Sequence, residues 1–237
     1  MPNVLSRARI HRVTGPIGAA LVRAGLSPDA MTLIGTVGVV LASIFLVVPG
    51  YYLAGGVVIT FFALTDMLDG AMARARGRSS RWGAFLDSTC DRLADSSVFA
   101  AAAYWQFDEG HKSAAVAALL CLITGTLVSY AKARAEGVGL TANVGIAERT
   151  VRLVILGFGG VLQAIGVPHG LEAVLWVLVV LSAITVGQRV YTVWDQTRDD
   201  RAPYSSVEAQ SSVEAQSPVA PQSPVAPQSS VEPGERE

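Results

Sequence analysis

Residues 66–95 read DMLDGAMARARGRSSRWGAFLDSTCDRLAD, and the rest of the chain can be interpreted outward from this stretch. Its acidic residues lie in two segments whose remaining sequence is largely apolar: Asp66, Asp69, Asp87, Asp91 and Asp95. Because a carboxylate at membrane depth is costly, each must be paired, bound to a cation or turned towards water. Spacings of three and four residues place each set on one face of a helix.

These two acidic helix faces predict a metal site. Carboxylates on two helices joined by a short loop repel one another unless positive charge lies between them. All-oxygen ligands suit a hard cation such as magnesium, manganese or calcium. The alternative is a set of solvated carboxylates on soluble helices, and the long uncharged runs on either side argue against it.

The composition predicts a membrane protein of one domain. Of 237 residues, 51% are apolar and 16% are charged, and the formal net charge is −1. This composition fits a chain that crosses the membrane several times. A net charge near zero gives no support to nucleic-acid binding.

Uncharged runs predict an all-α bundle of six membrane spans that follows an amphipathic surface helix within residues 5–25. The run from Ala30 to Thr65 has no charged residue and is broken by Pro49-Gly50. The predicted spans are about 30–48, 52–75, 83–106, 113–134, 148–166 and 171–194. Three regions result: residues 1–29 as a juxtamembrane segment, 30–196 as the six-span catalytic domain, and 197–237 as a disordered tail of Ser/Pro/Gln-rich repeats.

The basic residues predict the orientation in the membrane. Nearly all fall at one set of span ends, whereas Lys112 falls at the other. By the positive-inside rule, the acidic stretch and both termini face the cytoplasm of a multi-pass protein of the cell membrane. A basic rim beside a metal site suits a phosphate-bearing substrate. A cation transporter, the alternative from a different class, would have its acidic residues near the midplane.

The pattern Asp66-x2-Asp69-Gly-x2-Ala-Arg-x8-Gly-x3-Asp87-x3-Asp91 resembles the signature of the CDP-alcohol phosphotransferase family. All eight fixed residues are present over 26 positions, and the resemblance extends over most of residues 5–194. It implies a magnesium-dependent membrane enzyme, with manganese as another possible metal, that is a homodimer. Such an enzyme transfers phosphatidyl from CDP-diacylglycerol to an alcohol and releases CMP.

The resemblance also implies roles for individual residues. The metal ligands would be Asp66, Asp69, Asp87 and Asp91, and Asp91 would also be the catalytic base for the acceptor hydroxyl. The CDP-lipid would contact two groups of residues, namely Gly70, Ala73, Arg74 and Ser80, and the element Asp29, Ala30, Met31 and Thr32. Arg74 would pair with the diphosphate. Without the motif, Gly70 and Ala73 could equally be close-packing positions between helices.

A second basic cluster predicts how the acceptor is bound: Lys132, Arg134, Arg149, Arg152 and Arg189. Each alone could be a cytoplasmic anchor of its span, but together they suggest a pocket for a phosphorylated alcohol. The stretches SYAKARAEGVGL, GIAERTVRL and QRVYTVW resemble the actinobacterial phosphatidylinositol phosphate synthases, a branch of that family. This resemblance implies 1D-myo-inositol 3-phosphate as the acceptor, and glycerol 3-phosphate is the alternative.

Two charged residues of the third span have no fixed place in the motif. Arg92 and Asp95 are three residues apart and predict an ion pair within the helix that orients it. Alternatively, Asp95 hydrogen-bonds the acceptor.

Overall fold

A computed structural model describes residues 15–75 and 80–198, with the side chains of Asp66, Met67, Asp69 and Ala75 outside the description. The chain divides into two compact units, Met1–Gln196 and Thr197–Glu237. Because the described residues are 15–75 and 80–198, most of the predicted tail and residues 5–14 of the predicted surface helix lie outside them. The three predicted regions stay predictions.

The described residues form helices and no strands, so the predicted all-α class is confirmed. The helices are α1 (15–23), α2 (Pro28–Ala42), α3 (Tyr52–Ala75), α4 (Arg81–Asp108), α5 (Lys112–Gly137), α6 (Arg149–Ala164) and α7 (Gly170–Gln196). A π-helical turn, Ser43–Val47, continues α2. The helices from α2 to α7 begin and end within a few residues of the six predicted spans.

Four helical stretches in the described part of the chain are long and apolar enough to cross a membrane: Pro28–Val47, Tyr52–Arg74, Lys112–Gly137 and Gly170–Gln196. They make the chain an integral membrane protein. The other two predicted spans, α4 and α6, differ for physical reasons. Helix α4 carries the charges of Asp87, Asp91, Arg92 and Asp95. Helix α6 has 16 residues, a length of about 24 Å at 1.5 Å per residue, so the count of six spans stays a prediction.

Serine caps determine where two of the helices begin. The Ser27 hydroxyl accepts a hydrogen bond from the Ala30 amide at 3.1 Å, and Pro28 occupies the first turn of α2. The Ser80 hydroxyl accepts from the Gly83 amide at 2.8 Å at the start of α4. Both side chains satisfy amides that have no partner within the first turn of a helix.

Small residues allow the helices to approach one another closely. The core between the helices includes buried alanines of α4 and α5: Ala101, Ala102, Ala103, Ala114, Ala117 and Ala118. Helix α2 lies against α3 at Gly35 and Gly38, where a Cβ atom would stand 2.6 Å from Thr65 Oγ1 and 2.4 Å from the Phe62 ring, respectively. Many large apolar side chains face outward instead, as they do on helices surrounded by lipid.

We expect Gly38→Ala to destabilise the bundle, because the new methyl group overlaps the Phe62 ring and overpacking costs about 1–3 kcal/mol. The thermal unfolding midpoint of the detergent-solubilised protein should fall. Gly56→Ala is the matched control: it lies in the interior of α3 with no atom within 4 Å of the added Cβ. That variant should unfold at the wild-type temperature or slightly above it, and an equal loss in both variants would contradict the packing argument.

Candidate active site

The acidic face of α4 lies towards α6. Asp91 has 17% of its side chain exposed; its Oδ1 contacts Arg149 Nη1 at 2.8 Å and its Oδ2 contacts Arg92 Nη2 at 3.3 Å. Asp87, one turn earlier, is half-buried. The backbone of Asp66 and Asp69 lies in α3, and their side chains are outside the described part of the structure. The motif is thus divided between the end of α3 and the first turns of α4.

A small cavity connects these elements. Its lining includes Thr32 of α2, Thr65 of α3, Asp91 of α4 and Arg149 of α6. The residue that follows Thr65 is Asp66, so the acidic turn of α3 begins at the edge of this cavity. Among the side chains that the structure describes, no three metal-ligating groups come together, but two of the predicted four are outside that set. The course of α3 and the all-oxygen donor set fit a divalent cation.

The residues predicted to hold the nucleotide meet at the start of α4. A Cβ atom at Gly83 would lie 3.1 Å from Ser80 Oγ and 3.5 Å from Asp29 Oδ1, so Asp29 and Ser80 border the same glycine. Ala30 and Met31 belong to the first turn of α2, and the buried Thr32 hydroxyl donates to the Pro28 carbonyl at 3.2 Å. The structure therefore brings the 29–32 element to Ser80.

Arg74 lies over Gly70 on the last turns of α3. Its Nη1 is 3.4 Å from where a Gly70 Cβ would be, and no other described atom is within 4 Å of that point. Gly70 is therefore not a helix-packing position within the described residues, which favours the nucleotide-approach interpretation. Ala73 is half-buried one turn along the helix.

Arg152 of α6 is buried, with 2% of the residue exposed. Its Nη2 contacts Asp95 Oδ2 at 2.9 Å, and its Nη1 donates to the Ala147 carbonyl at 3.4 Å. Gly125 of α5 leaves room for the guanidinium, since a Cβ atom there would lie 3.4 Å from Arg152 Nε. That Nε has no hydrogen-bond partner among the described residues.

Arg189 and Thr185 of α7 hold the segment between α5 and α6. The buried Arg189 guanidinium donates from Nε to the Val144 carbonyl at 2.8 Å and from Nη1 to the Val128 carbonyl. The Thr185 hydroxyl accepts from the Ala147 amide at 3.0 Å. Arg189 is also within electrostatic range of Arg152. A guanidinium has five N–H donors, and these two contacts leave others of Arg189 available to a substrate.

The two remaining basic residues lie on different faces of α5. Lys132 lies on the same side of α5 as the buried Gly125 and Val128; its side chain is 44% exposed, and its Nζ is 3.9 Å from Glu136 Oε1. Arg134 is exposed and two positions further, which is about 200° around an α-helix. Lys132 therefore lies on the side of α5 that carries Gly125 and Val128, whereas Arg134 lies on another face.

The predicted pair of Arg92 and Asp95 is wrong. Asp95 contacts Arg149 Nε at 3.1 Å and Arg152 Nη2 at 2.9 Å, and Arg92 contacts the neighbouring Asp91. The sequence offered one signal for the correct partners, because Arg149 and Arg152 are three residues apart and share one face of α6. That signal does not specify which carboxylate they meet.

A larger cavity of about 420 Å³ lies between α3 and α6. Its lining is mostly apolar and runs from Leu64 to Tyr52 on α3 and from Arg149 to Gly160 on α6. On α3 this distance is about 18 Å at 1.5 Å per residue. Arg149 thus stands between an apolar cavity and the acidic residues of α4. No motif in the sequence indicates this cavity.

Comparison with known proteins identifies the family. The sequence profile described as CDP-alcohol phosphatidyltransferase matches residues 26–189. The chain belongs to the CDP-alcohol phosphatidyltransferase family. It is therefore an enzyme of phosphatidyl transfer, which disfavours the transporter alternative.

Two relatives of this phosphatidyltransferase are named phosphatidylinositol phosphate synthase. The protein of Mycobacteroides abscessus is 46% identical over 81% of this chain and 89% of its own length. The protein of Streptomyces avermitilis is 45% identical over 81% of this chain and 82% of its own length. The resemblance to the actinobacterial branch is confirmed.

Solved structures similar to this phosphatidyltransferase come from Mycobacterium tuberculosis phosphatidylinositol phosphate synthase. The structure with CDP-DAG bound has a TM-score of 0.74 and 43% identity, covering 77% of this chain and 94% of the other. The structure in complex with manganese and citrate has a TM-score of 0.71 and 44% identity, covering 76% and 88%. Enzymes of this family depend on a divalent metal.

We expect Thr185→Val to loosen the segment that Thr185 holds, because the Ala147 amide loses its acceptor and an unpaired buried amide costs about 1–3 kcal/mol. Hydrogen–deuterium exchange of residues 141–148 should become faster. Thr192→Val is the matched control, since that hydroxyl lies on the same helix and donates to the Gln188 carbonyl at 2.8 Å on an exposed face. Unchanged exchange in Thr185→Val would show that Thr185 does not hold the segment.

Proposed function

We propose that this chain is a phosphatidylinositol phosphate synthase, which transfers phosphatidyl from CDP-diacylglycerol to 1D-myo-inositol 3-phosphate and releases CMP. The observation that carries the proposal is the group of arginines on α6 and α7, in which Arg149 contacts Asp91, Arg152 contacts Asp95 and the buried Arg189 lies near Arg152. Lys132 of α5 would complete this group. An acceptor that brings its own phosphate needs such a group, whereas a neutral alcohol needs fewer cations. The names of the relatives agree with this acceptor.

The donor lipid would occupy the apolar cavity between α3 and α6 and the polar ends of α2, α3 and α4. Its hydrocarbon would lie in the 420 Å³ cavity, and Arg74 would pair with the diphosphate. Gly70 and Ala73 leave the nucleotide free to approach α3 closely. Asp29, Ala30, Met31, Thr32 and Ser80 would enclose the cytidine.

The metal site would be formed by Asp66, Asp69, Asp87 and Asp91. Magnesium is the proposed ion, and manganese also fits the all-oxygen donor set. When bound, a divalent ion neutralises charge on the diphosphate and makes the phosphorus more susceptible to attack. The chain contributes the carboxylates and the close approach of α3 to Asp91.

Asp91 would be the general base. Its carboxylate takes the proton from the acceptor hydroxyl as that oxygen attacks the phosphorus on the lipid side. A new phosphorus–oxygen bond forms, the bond to the CMP oxygen breaks, and CMP leaves. Arg149 touches Asp91 at 2.8 Å, so an acceptor phosphate held by Arg149 would place its hydroxyl near the base. Direct displacement requires no covalent intermediate.

We propose a cell-membrane orientation in which this site and both termini face the cytoplasm, because the basic residues lie at the site end of the helices. Six spans within residues 30–196 keep both termini on that side. Residues 1–29 would be the juxtamembrane segment and residues 197–237 a cytoplasmic tail. The resemblance to the family further implies a homodimer, which crosslinking in membranes can test.

The acceptor can be tested by measuring CMP release from the full-length protein in detergent with CDP-diacylglycerol and magnesium. Inositol phosphate, glycerol 3-phosphate and free inositol are supplied separately, and manganese or a chelator replaces magnesium in parallel reactions. We expect release with inositol phosphate and a divalent ion. Release with glycerol 3-phosphate alone would show that the basic cluster binds that acceptor instead of inositol phosphate. Release without any divalent ion would contradict the proposed metal site.

We expect Asp91→Asn to reduce CMP release by at least about a hundredfold, because general-base catalysis contributes about 10²–10⁴. Binding of CDP-diacylglycerol should persist, since the nucleotide contacts lie on α2, α3 and the start of α4. Asp108→Asn, at the opposite end of the same helix, is the control and should retain wild-type activity. Substantial release by Asp91→Asn would exclude Asp91 as the base.

A further inference from the structure

Asp95 carries a buried carboxylate one turn after Asp91 that takes part in neither the proposed metal site nor the proposed proton transfer. The residue is 8% exposed. Its Oδ1 contacts Arg149 Nε at 3.1 Å, and its Oδ2 contacts Arg152 Nη2 at 2.9 Å. One carboxylate on α4 therefore holds two guanidinium groups on α6, and each oxygen serves a different arginine.

Arg149 also reaches past Asp95 to the proposed base. Its Nη1 is 2.8 Å from Asp91 Oδ1, while its Nε stays on Asp95. Two contacts from carboxylates one turn apart fix both the position and the plane of a rigid guanidinium. The side chain is 24% exposed, so it can also contact a substrate. It lines both the cavity beside Asp91 and the 420 Å³ cavity.

Arg152 differs from Arg149 because its side chain is only 3% exposed. Burial of this cation without a carboxylate partner would be strongly destabilising. Asp95 supplies that partner, and the Ala147 carbonyl supplies a second acceptor. The Asp95–Arg152 contact thereby anchors the carboxylate through the oxygen that Arg149 does not contact.

We propose that Asp95 is a positioning residue for the phosphorylated acceptor. Anchored by Arg152, it holds the Arg149 guanidinium at a fixed place between Asp91 and the two cavities, where the exposed part of the guanidinium binds the acceptor phosphate. This inference rests on the proposed function and adds a residue outside the family motif. Asp95 acts through Arg149 and touches neither the substrate nor the metal.

The chemistry of the replacement determines the expected result. In Asp95→Asn an NH₂ group replaces one acceptor oxygen and faces a guanidinium, which is itself a donor, so one of the two contacts is lost. The remaining oxygen stays with the buried Arg152, because an unpaired charge costs more there. The Arg149 side chain then has one anchor fewer, and the acceptor phosphate must hold it in place on binding. The KM for the acceptor should rise at least about tenfold, while the KM for CDP-diacylglycerol stays close to wild type.

A double-mutant cycle tests whether Asp95 acts through Arg149. We compare Asp95→Asn, Arg149→Gln and the double variant by the KM for inositol phosphate, the KM for CDP-diacylglycerol, kcat and the thermal midpoint. If Asp95 acts through Arg149, adding Asp95→Asn to Arg149→Gln causes no further rise in the acceptor KM. Effects that multiply would overturn the inference. So would an Asp95→Asn variant that unfolds at a lower temperature but keeps the wild-type acceptor KM.

A second pair of variants keeps the test decisive if Asp95→Asn does not fold. Asp95→Leu with Arg152→Met removes both buried charges together, a change that is often neutral or stabilising in other proteins. Arg152→Met alone is its reference. A higher acceptor KM in the pair than in the reference supports the positioning role, and equal values overturn it.

Failure of the proposed function is distinguishable from failure of this inference. If the wild-type protein releases no CMP with inositol phosphate, the proposed acceptor is wrong, and the cycle is measured with the phosphorylated alcohol that the wild-type protein does use. If the wild-type protein responds to inositol phosphate and Asp95→Asn keeps its acceptor KM, only the positioning role is wrong.

Discussion

The pairing of carboxylates on α4 with arginines on α6 is the interaction on which the rest of the site depends. Neither set of charges could be buried among apolar helices alone, because an unpaired charge there is far more costly than a pair. Asp91 and Asp95 face Arg149 and Arg152 at 2.8–3.1 Å. Charge neutralisation across the bundle thus coincides with the place where a phosphate-bearing substrate would be bound.

Small residues make that pairing possible. Buried alanines of α4 and α5 and glycines between α2 and α3 allow the backbones to approach, and Gly125 leaves space for the Arg152 guanidinium. The segment between α5 and α6 is held to α7 through Thr185 and Arg189, and it ends where α6 presents its first arginine. Hydrogen bonding and charge therefore fix the same end of the bundle.

Local features of the sequence predicted the helices well, and contacts between helices were predicted poorly. The bounds of α3 follow from the break at Pro49-Gly50 and from the basic run after Ala75, and both signals are adjacent in sequence to the helix ends. The family resemblance also implied that Asp29 and Ser80 contact one substrate, and the structure brings them to one glycine. The partners of Asp95 lie 54 and 57 positions away on α6. A pattern along one helix suggested Arg92 instead, because it contains no information on which helix packs against it.

The position of Arg134 and the apolar cavity show the same limit. Charge alone grouped Arg134 with Lys132, although two positions along α5 turn the side chain to the opposite face. The cavity depends on how α3 and α6 diverge, which follows from the shapes of many side chains. No single motif encodes it.

The cavity between α3 and α6 also affects the stability of the folded protein. A hydrocarbon chain that enters a 420 Å³ apolar space binds the folded state and has no equivalent site in the unfolded chain. By mass action such a ligand raises the free energy of unfolding, and it does so most where lipid is abundant. Lipid then stabilises the folded protein as a bound ligand and also surrounds it as a solvent. Transfer into detergent removes that ligand together with the bilayer.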